Sequence, residues 1–197
     1  MNQTATTVRR TGVTTDVALV ATFAALVAVC SFVSAPIGPS GVPITLQTFA
    51  VLLAGVVLGA RRGFLAVTLY LVVGLAGVPV LAGGTGGVGV LAGPTAGYLL
   101  SFPFAAGVAG AAMTLAARRA WRSWRGTVLP AVVGVVLASL VVYAVGVPVL
   151  AWRAGISFGA AFASNLTFVP FDAVKAGLAV LVGLAVLRAF PDLRRRP

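Results

Sequence analysis

Long apolar stretches, separated by short polar or glycine-rich connections, dominate the pattern along the chain. Six of them are long enough to be treated as separate helices, and they cover 17–33, 44–59, 64–78, 98–117, 128–151 and 168–187. A helix crosses a bilayer core about 30 Å thick with about 20 apolar residues, whereas membrane β-barrel strands alternate in segments of about 10 residues. The stretches show no such alternation. The pattern predicts an all-α integral membrane protein with six transmembrane helices.

The composition agrees with a chain that lies mostly in lipid. Hydrophobic residues make up 60% of it and charged residues only 9%, with a mean hydropathy of +1.09, whereas a soluble domain carries about 25% charged residues. We expect one membrane domain over 1–197, with a cytoplasmic segment at 1–16, a six-helix bundle at 17–189 and a basic cytoplasmic tail at 190–197.

Basic residues set the predicted orientation in the cell membrane. They cluster at 9–10, 61–62, 118–125 and 188–196. Short loops rich in Lys and Arg stay in the cytoplasm, and six crossings put all of these clusters on that side. Both termini are therefore expected to be cytoplasmic. Topology also explains the net charge of +11, which requires no nucleic acid partner.

Motifs that would indicate an enzyme lack their chemical partners. Gly84 begins a G-x-G-x-x-G sequence, but a dinucleotide site needs an acidic residue about 20 residues later, and none occurs between Asp16 and Asp172. A G-x-S-G at 38–41 would need a base beside its serine, most often histidine, and the sequence contains no histidine. One cysteine and three acidic residues form no cluster at metal-ligand spacing. We expect no enzyme activity, no cofactor and no metal.

Two charges near the start of the last apolar stretch indicate a binding site. Asp172 and Lys175 stand three residues apart, which places them on one helix face. An ionised side chain at membrane depth costs about 2.5–3.5 kcal/mol on insertion scales, so such residues usually face the bundle interior and mark a site. The alternative is an interfacial pair whose lysine reaches the headgroups.

The uncharged, glycine-rich segment 79–93 suggests a second part of that site. Irregular backbone at membrane depth is stable only where it is buried in protein or lines a cavity, and glycine lets the backbone approach a ligand closely. We expect its amides to line the outer mouth of a pocket above the last helix. The alternative is a flexible connector.

Four segments, in their order and spacing, resemble the BioY family, the biotin-binding membrane components of energy-coupling factor transporters. They are PITLQTFAVLLAGVVLGARRG (43–63), GLAGVPVLAGGTGG (74–87), GPTAGYLLSFP (93–103) and the D-x-x-K of Asp172 and Lys175. The resemblance covers nearly the whole chain. It implies a six-helix bundle that binds biotin from outside and associates with a membrane coupling protein and two cytoplasmic ATPases.

The resemblance also implies roles for single residues. Lys175 would pair with the valerate carboxylate of biotin, and Asp172 would accept from the ureido N–H groups or hold the lysine in place. Gln47 and Tyr98 match family positions near the pocket; their ordinary interpretation is helix-end packing or interfacial anchoring.

The glycine-rich segment departs from the family pattern. Some members carry a polar asparagine where this chain has Gly83, so backbone groups around Gly83 and Gly84, or a water, would have to replace its contacts. The usual Pro-Gly-Asp before the lysine is Pro170-Phe171-Asp172 here, which makes that turn less permissive.

A partner should supply the energy for transport. Helix one offers a docking surface, because Ala21 with Ala25, and Ala24 with Ala28, follow the small-xxx-small pattern of close helix approach. Two other functions stay open: a component for another small vitamin, and a structural membrane protein that binds no small molecule tightly.

Overall fold

The structure, a computed structural model, describes residues 12–36, 43–119 and 125–194, and most of these residues are helical. The helices within them are α1 (Val13–Phe32), α2 (Gln47–Leu75), α3 (Ala96–Arg119), α4 (Arg125–Ala154), α5 (Phe158–Leu166), α6 (Val169–Ala189) and α7 (Pro191–Arg194). Two short strands, β1 (Ser34–Pro36) and β2 (Pro43–Thr45), pair antiparallel between α1 and α2. Five of the helices, α1, α2, α3, α4 and α6, are long and apolar enough to cross a membrane.

Helix α2 is a tight helical hairpin. Gly59 has φ 80° and ψ −179°, a conformation open to glycine because it lacks a Cβ. Beyond this turn, a Cβ on Gly63 would lie 3.0 Å from the Cα of Gly55, although residues eight apart in a straight helix are separated by about 12 Å. The side chains of Gln47 and Tyr70 are also hydrogen bonded. The arms 47–58 and 60–75 therefore run antiparallel.

Glycines let α3 lie directly against this hairpin. A Cβ on Gly110 would collide with the backbone carbon of Gly59, and a Cβ on Gly55 would collide with the carbonyl oxygen of Ala106. Side chains at these positions would force the helices apart, since packed interiors have few voids into which they could shift. The contact fixes α3 against the turn of α2.

The glycine-rich connection between α2 and α3 is fastened to the bundle. The buried side chain of Leu81 packs on Gly74, and the Gly74 carbonyl accepts from the Gly87 N–H at 2.7 Å. Ser31 of α1 donates to the carbonyl of Val80 at 2.6 Å. The chain forms one 3₁₀ turn between these anchors, at Ala82–Gly84, and a second one after them, at Val88–Ala92.

Most arginines of the described chain lie toward one end of the bundle, called the basic end here, whereas Arg153 lies in the last turn of α4 at the other end. Arg62 at the turn of α2 pairs with Asp16 at the start of α1, at 2.8 Å. The close approach of Gly110 to Gly59 brings the later part of α3 to the same end, and α6 finishes with Arg188 in its last turn. The strands and the glycine-rich connection lie at the other end.

The helices agree with most of the predicted stretches. α1, the two arms of α2, α3, α4 and α6 correspond to the six apolar segments in order, and the chain is a mostly helical, multi-span protein. The sequence analysis did not predict α5, a helix of 9 residues between α4 and α6. Six crossings and cytoplasmic termini remain predictions.

Candidate ligand-binding site

A cavity opens at the end of the bundle opposite the basic end. The space inside it, together with the open solvent at its mouth, is about 580 Å³. The starts of α2, α3 and α6, the second half of α4 and the end of α5 line it. Its apolar wall comes from Ile44, Leu99, Phe102, Val142 and Phe168.

The predicted charges meet in this cavity. Lys175 Nζ donates to Asp172 Oδ1 at 2.9 Å, and the two side chains are only 12% and 15% exposed. Among the described residues that line the cavity, Lys175 is the one cation and Asp172 the one anion. The site can therefore receive a small anion at the lysine while its walls hold an apolar body.

The Asp172 carboxylate is held by hydroxyl groups from two other helices. Tyr143 of α4 donates to Oδ2 at 2.7 Å, and Thr48 of α2 donates to Oδ1 at 3.3 Å. With Lys175 the carboxylate accepts three hydrogen bonds out of about four that it can take. These bonds tie α6 to α2 and α4 and fix the direction of the lysine.

Gln47 is buried at the first turn of α2 and belongs to a second polar group. Its Oε1 accepts from Thr45 Oγ1 at 3.0 Å, and its Nε2 donates to the hydroxyl of Tyr70 on the other arm of the hairpin. Gln47 is 3% exposed and Tyr70 is 1% exposed. This group fixes the start of α2, so that Gln47 and Thr48 line the cavity side by side.

Tyr98 lines the cavity from the first turn of α3. Its hydroxyl donates to Oδ1 of Asn165 at 2.9 Å, which links α3 to α5. The ring also packs against Gly146 of α4, where a Cβ would strike it. Tyr98 thus lines the cavity and also takes part in the α3–α4 contact; its role toward a ligand stays a prediction.

Two predicted positions lie outside the cavity lining. Gly83 and Gly84 are exposed, with φ 72° and 70°, and no heavy atom lies within 4 Å of a Cβ built on Gly83. From this connection, Ala82 reaches the cavity instead. Both positions have left-handed backbone, which glycine adopts readily because it has no Cβ.

The two alanine pairs of α1 face different directions. Ala24 is 7% exposed and, with Ala28, packs in the bundle's own core. Ala21 and Ala25 are exposed on the surface of the bundle. An open docking surface on α1 is therefore available at Ala21 and Ala25, and docking itself stays a prediction.

Sequence reasoning did not identify Tyr143, Thr48 or Asn165. Each is a hydrogen-bonding side chain within or beside an apolar helix, where an unpaired polar group is costly. That signal could have marked Tyr143 and Asn165 as candidates. It could not have shown that their helices turn them toward Asp172 and Tyr98.

Comparisons with known proteins agree with one another. The model of the BioY family matches residues 1–192. A biotin transporter BioY of Rhizobium etli is 39% identical over 184 residues, which cover 93% of this chain and 98% of that protein. A probable biotin transporter BioY of Pyrococcus horikoshii is 41% identical over 85% of this chain and 93% of its own.

One solved structure has the same fold. It is the crystal structure, at 2.1 Å, of the S-component for biotin from an ECF-type ABC transporter, and it superposes with a TM-score of 0.81. The match covers 89% of this chain and 92% of that one, with 29% sequence identity.

Proposed function

The chain belongs to the BioY family, and we propose that it is the biotin-binding S component of a vitamin uptake transporter. It captures biotin from outside the cell and delivers it to the cytoplasm. The observation that carries this proposal is a cavity with an apolar wall in which, among the described lining residues, Lys175 is the one cation. Biotin is a monoanion with a neutral, partly apolar head, and it matches that composition.

Lys175 pairs with the valerate carboxylate of biotin in this proposal. Of the two roles open for Asp172, the hydrogen bonds favour holding the lysine, because the carboxylate already accepts from Lys175, Tyr143 and Thr48. Truncating a group in such a buried polar network leaves the others without partners. Gln47 and Tyr98 supply further polar groups around the ligand.

The direction of capture follows from the two ends of the bundle. The basic end carries the arginines that keep loops cytoplasmic, and the cavity opens at the other end. The two arms of α2 count as separate crossings, which gives six in all. Both termini are then cytoplasmic, and the cavity faces outside.

A partner supplies the energy in this proposal. We expect a transmembrane coupling protein and two cytoplasmic ATPases, as the family resemblance implies. The exposed Ala21 and Ala25 of α1 provide a surface that another helix can approach closely.

Calorimetry on the detergent-purified chain tests the proposal. Biotin should bind with one site per chain, and riboflavin and thiamine should not bind measurably. Binding of another vitamin in preference to biotin would support a different S component. No binding of any of the three would support the structural membrane protein instead.

A further inference from the structure

Asn165 is a buried polar side chain on the cavity wall for which sequence reasoning gave no role. It lies in the last turn of α5, is 3% exposed and lines the same cavity as Lys175. Its Oδ1 accepts the single proton of the Tyr98 hydroxyl at 2.9 Å. This bond sets which end of the amide faces Tyr98.

The opposite end of the amide has hydrogen-bonding capacity to spare. An asparagine amide nitrogen carries two donors, and Nδ2 of Asn165 has no hydrogen-bond partner among the described residues. Nδ2 is not among the described side-chain atoms that are both fully enclosed and without a hydrogen-bond partner. It therefore keeps some exposed surface, and Asn165 lines the cavity. A ligand that displaces water from the cavity would leave this donor unpaired unless the ligand supplies an acceptor, and an unpaired buried donor is costly.

Asn165 Nδ2 and the Lys175 ammonium lie at different places in the cavity wall. Asn165 precedes α6, whereas Lys175 lies in its second turn, roughly 9 Å along the helix from Val169 at 1.5 Å per residue. With the carboxylate of the ligand at Lys175, the polar group at the opposite end of biotin is its ureido ring. The ureido carbonyl oxygen is a neutral acceptor, which suits a neutral amide donor.

We propose that Asn165 determines specificity by donating from Nδ2 to the ureido carbonyl oxygen of the ligand, with Tyr98 holding the amide in that orientation. The inference rests on the proposed function. It is also compatible with glycine at position 83, where some family members carry asparagine, because Gly83 is exposed and lies outside the cavity lining. Here the polar contact comes from α5 instead.

Two variants and two ligands test this assignment. Asn165→Asp keeps the size and the acceptor for Tyr98 but replaces the donor with an acceptor, and Asn165→Leu removes both. The ligands are biotin and 2-iminobiotin, in which a guanidinium replaces the ureido group. Both variants should bind biotin about tenfold or more weakly than the wild type, which is the loss expected when a buried hydrogen bond to a ligand is removed. Asn165→Asp should in addition shift preference toward 2-iminobiotin, since a carboxylate pairs with a guanidinium.

Thr22→Val serves as the control, because its hydroxyl bonds only to Ala18 of its own helix and lies outside the described cavity lining. Thermal melting in detergent shows whether each variant is folded. If the wild type binds biotin and the folded Asn165→Asp variant keeps the wild-type ratio of the two affinities, the Asn165 assignment alone is overturned. If the wild type does not bind biotin, the proposed function and this assignment are both wrong.

Discussion

Replacing Lys175 with methionine should weaken biotin binding by about 30-fold or more. Methionine keeps an unbranched, flexible side chain of similar length and removes the charge. In the structure the lysine ammonium lies 2.9 Å from Asp172 Oδ1, with 12% and 15% of the two side chains exposed. The charge that the variant removes is therefore poorly solvated and directly partnered.

The magnitude follows from that geometry. Removing one member of a buried, hydrogen-bonded charge pair costs about 2–5 kcal/mol, and about 1.4 kcal/mol corresponds to tenfold. Tyr143 and Thr48 can still donate to Asp172 in the variant, so the Asp172 carboxylate keeps two hydrogen-bond partners. The lower part of the range, about 2 kcal/mol, gives the 30-fold estimate.

The assay compares biotin with biotin amide by calorimetry on wild-type and Lys175→Met protein. The amide lacks the anion, so it should bind the wild type weakly and lose much less affinity in the variant. The difference between the two losses measures the interaction of the lysine with the carboxylate, because a general folding defect weakens both ligands alike. Equal losses would refute the pairing of Lys175 with the biotin carboxylate. They would support the alternative interpretation of Lys175 as an interfacial residue.

Three further predictions concern topology, partners and packing. In a cysteine-free background, Val88→Cys should react with an impermeant maleimide on intact cells and Arg61→Cys only after permeabilisation; the opposite result would reverse the proposed orientation. Ala25→Trp should leave biotin affinity intact and reduce ATP-dependent uptake, and equal loss of both would contradict a docking role for Ala25. Gly110→Ala should lower the melting temperature more than Gly107→Ala, because only the former collides with backbone; equal melting would contradict the close packing of α3 on α2.

The charged pair was predictable because charge is rare in this chain. With 9% charged residues, an aspartate and a lysine three apart in an apolar helix stand out, and helix geometry alone puts them on one face. The basic clusters were informative for the same reason. Their positions along the chain predict that the connections at 61–62 and 118–125 lie on one side, and the antiparallel helices place both of these connections at the same end of the bundle.

The partners of that pair were not predictable in the same way. Tyr143 reaches Asp172 from α4, 29 positions earlier in the sequence, and which face of α4 meets α6 depends on how both helices pack. Asn165 sits on α5, a helix that the apolar pattern did not indicate. For Gly83 and Gly84 the sequence predicted permissive backbone, and it could not give the direction in which that backbone turns.

The position of the cavity follows from where α2 and α3 are allowed to touch. Near the basic end, Gly55 and Gly110 have no side chains, so each helix meets the backbone of the other. At the other end the same two helices carry Thr48 and Phe102, and both line the cavity. The glycine contacts fix how α2 and α3 lie against each other, and Thr48 and Phe102 take their places in the cavity wall on the helices so fixed. Larger residues at these glycines should therefore alter the cavity as well as the stability.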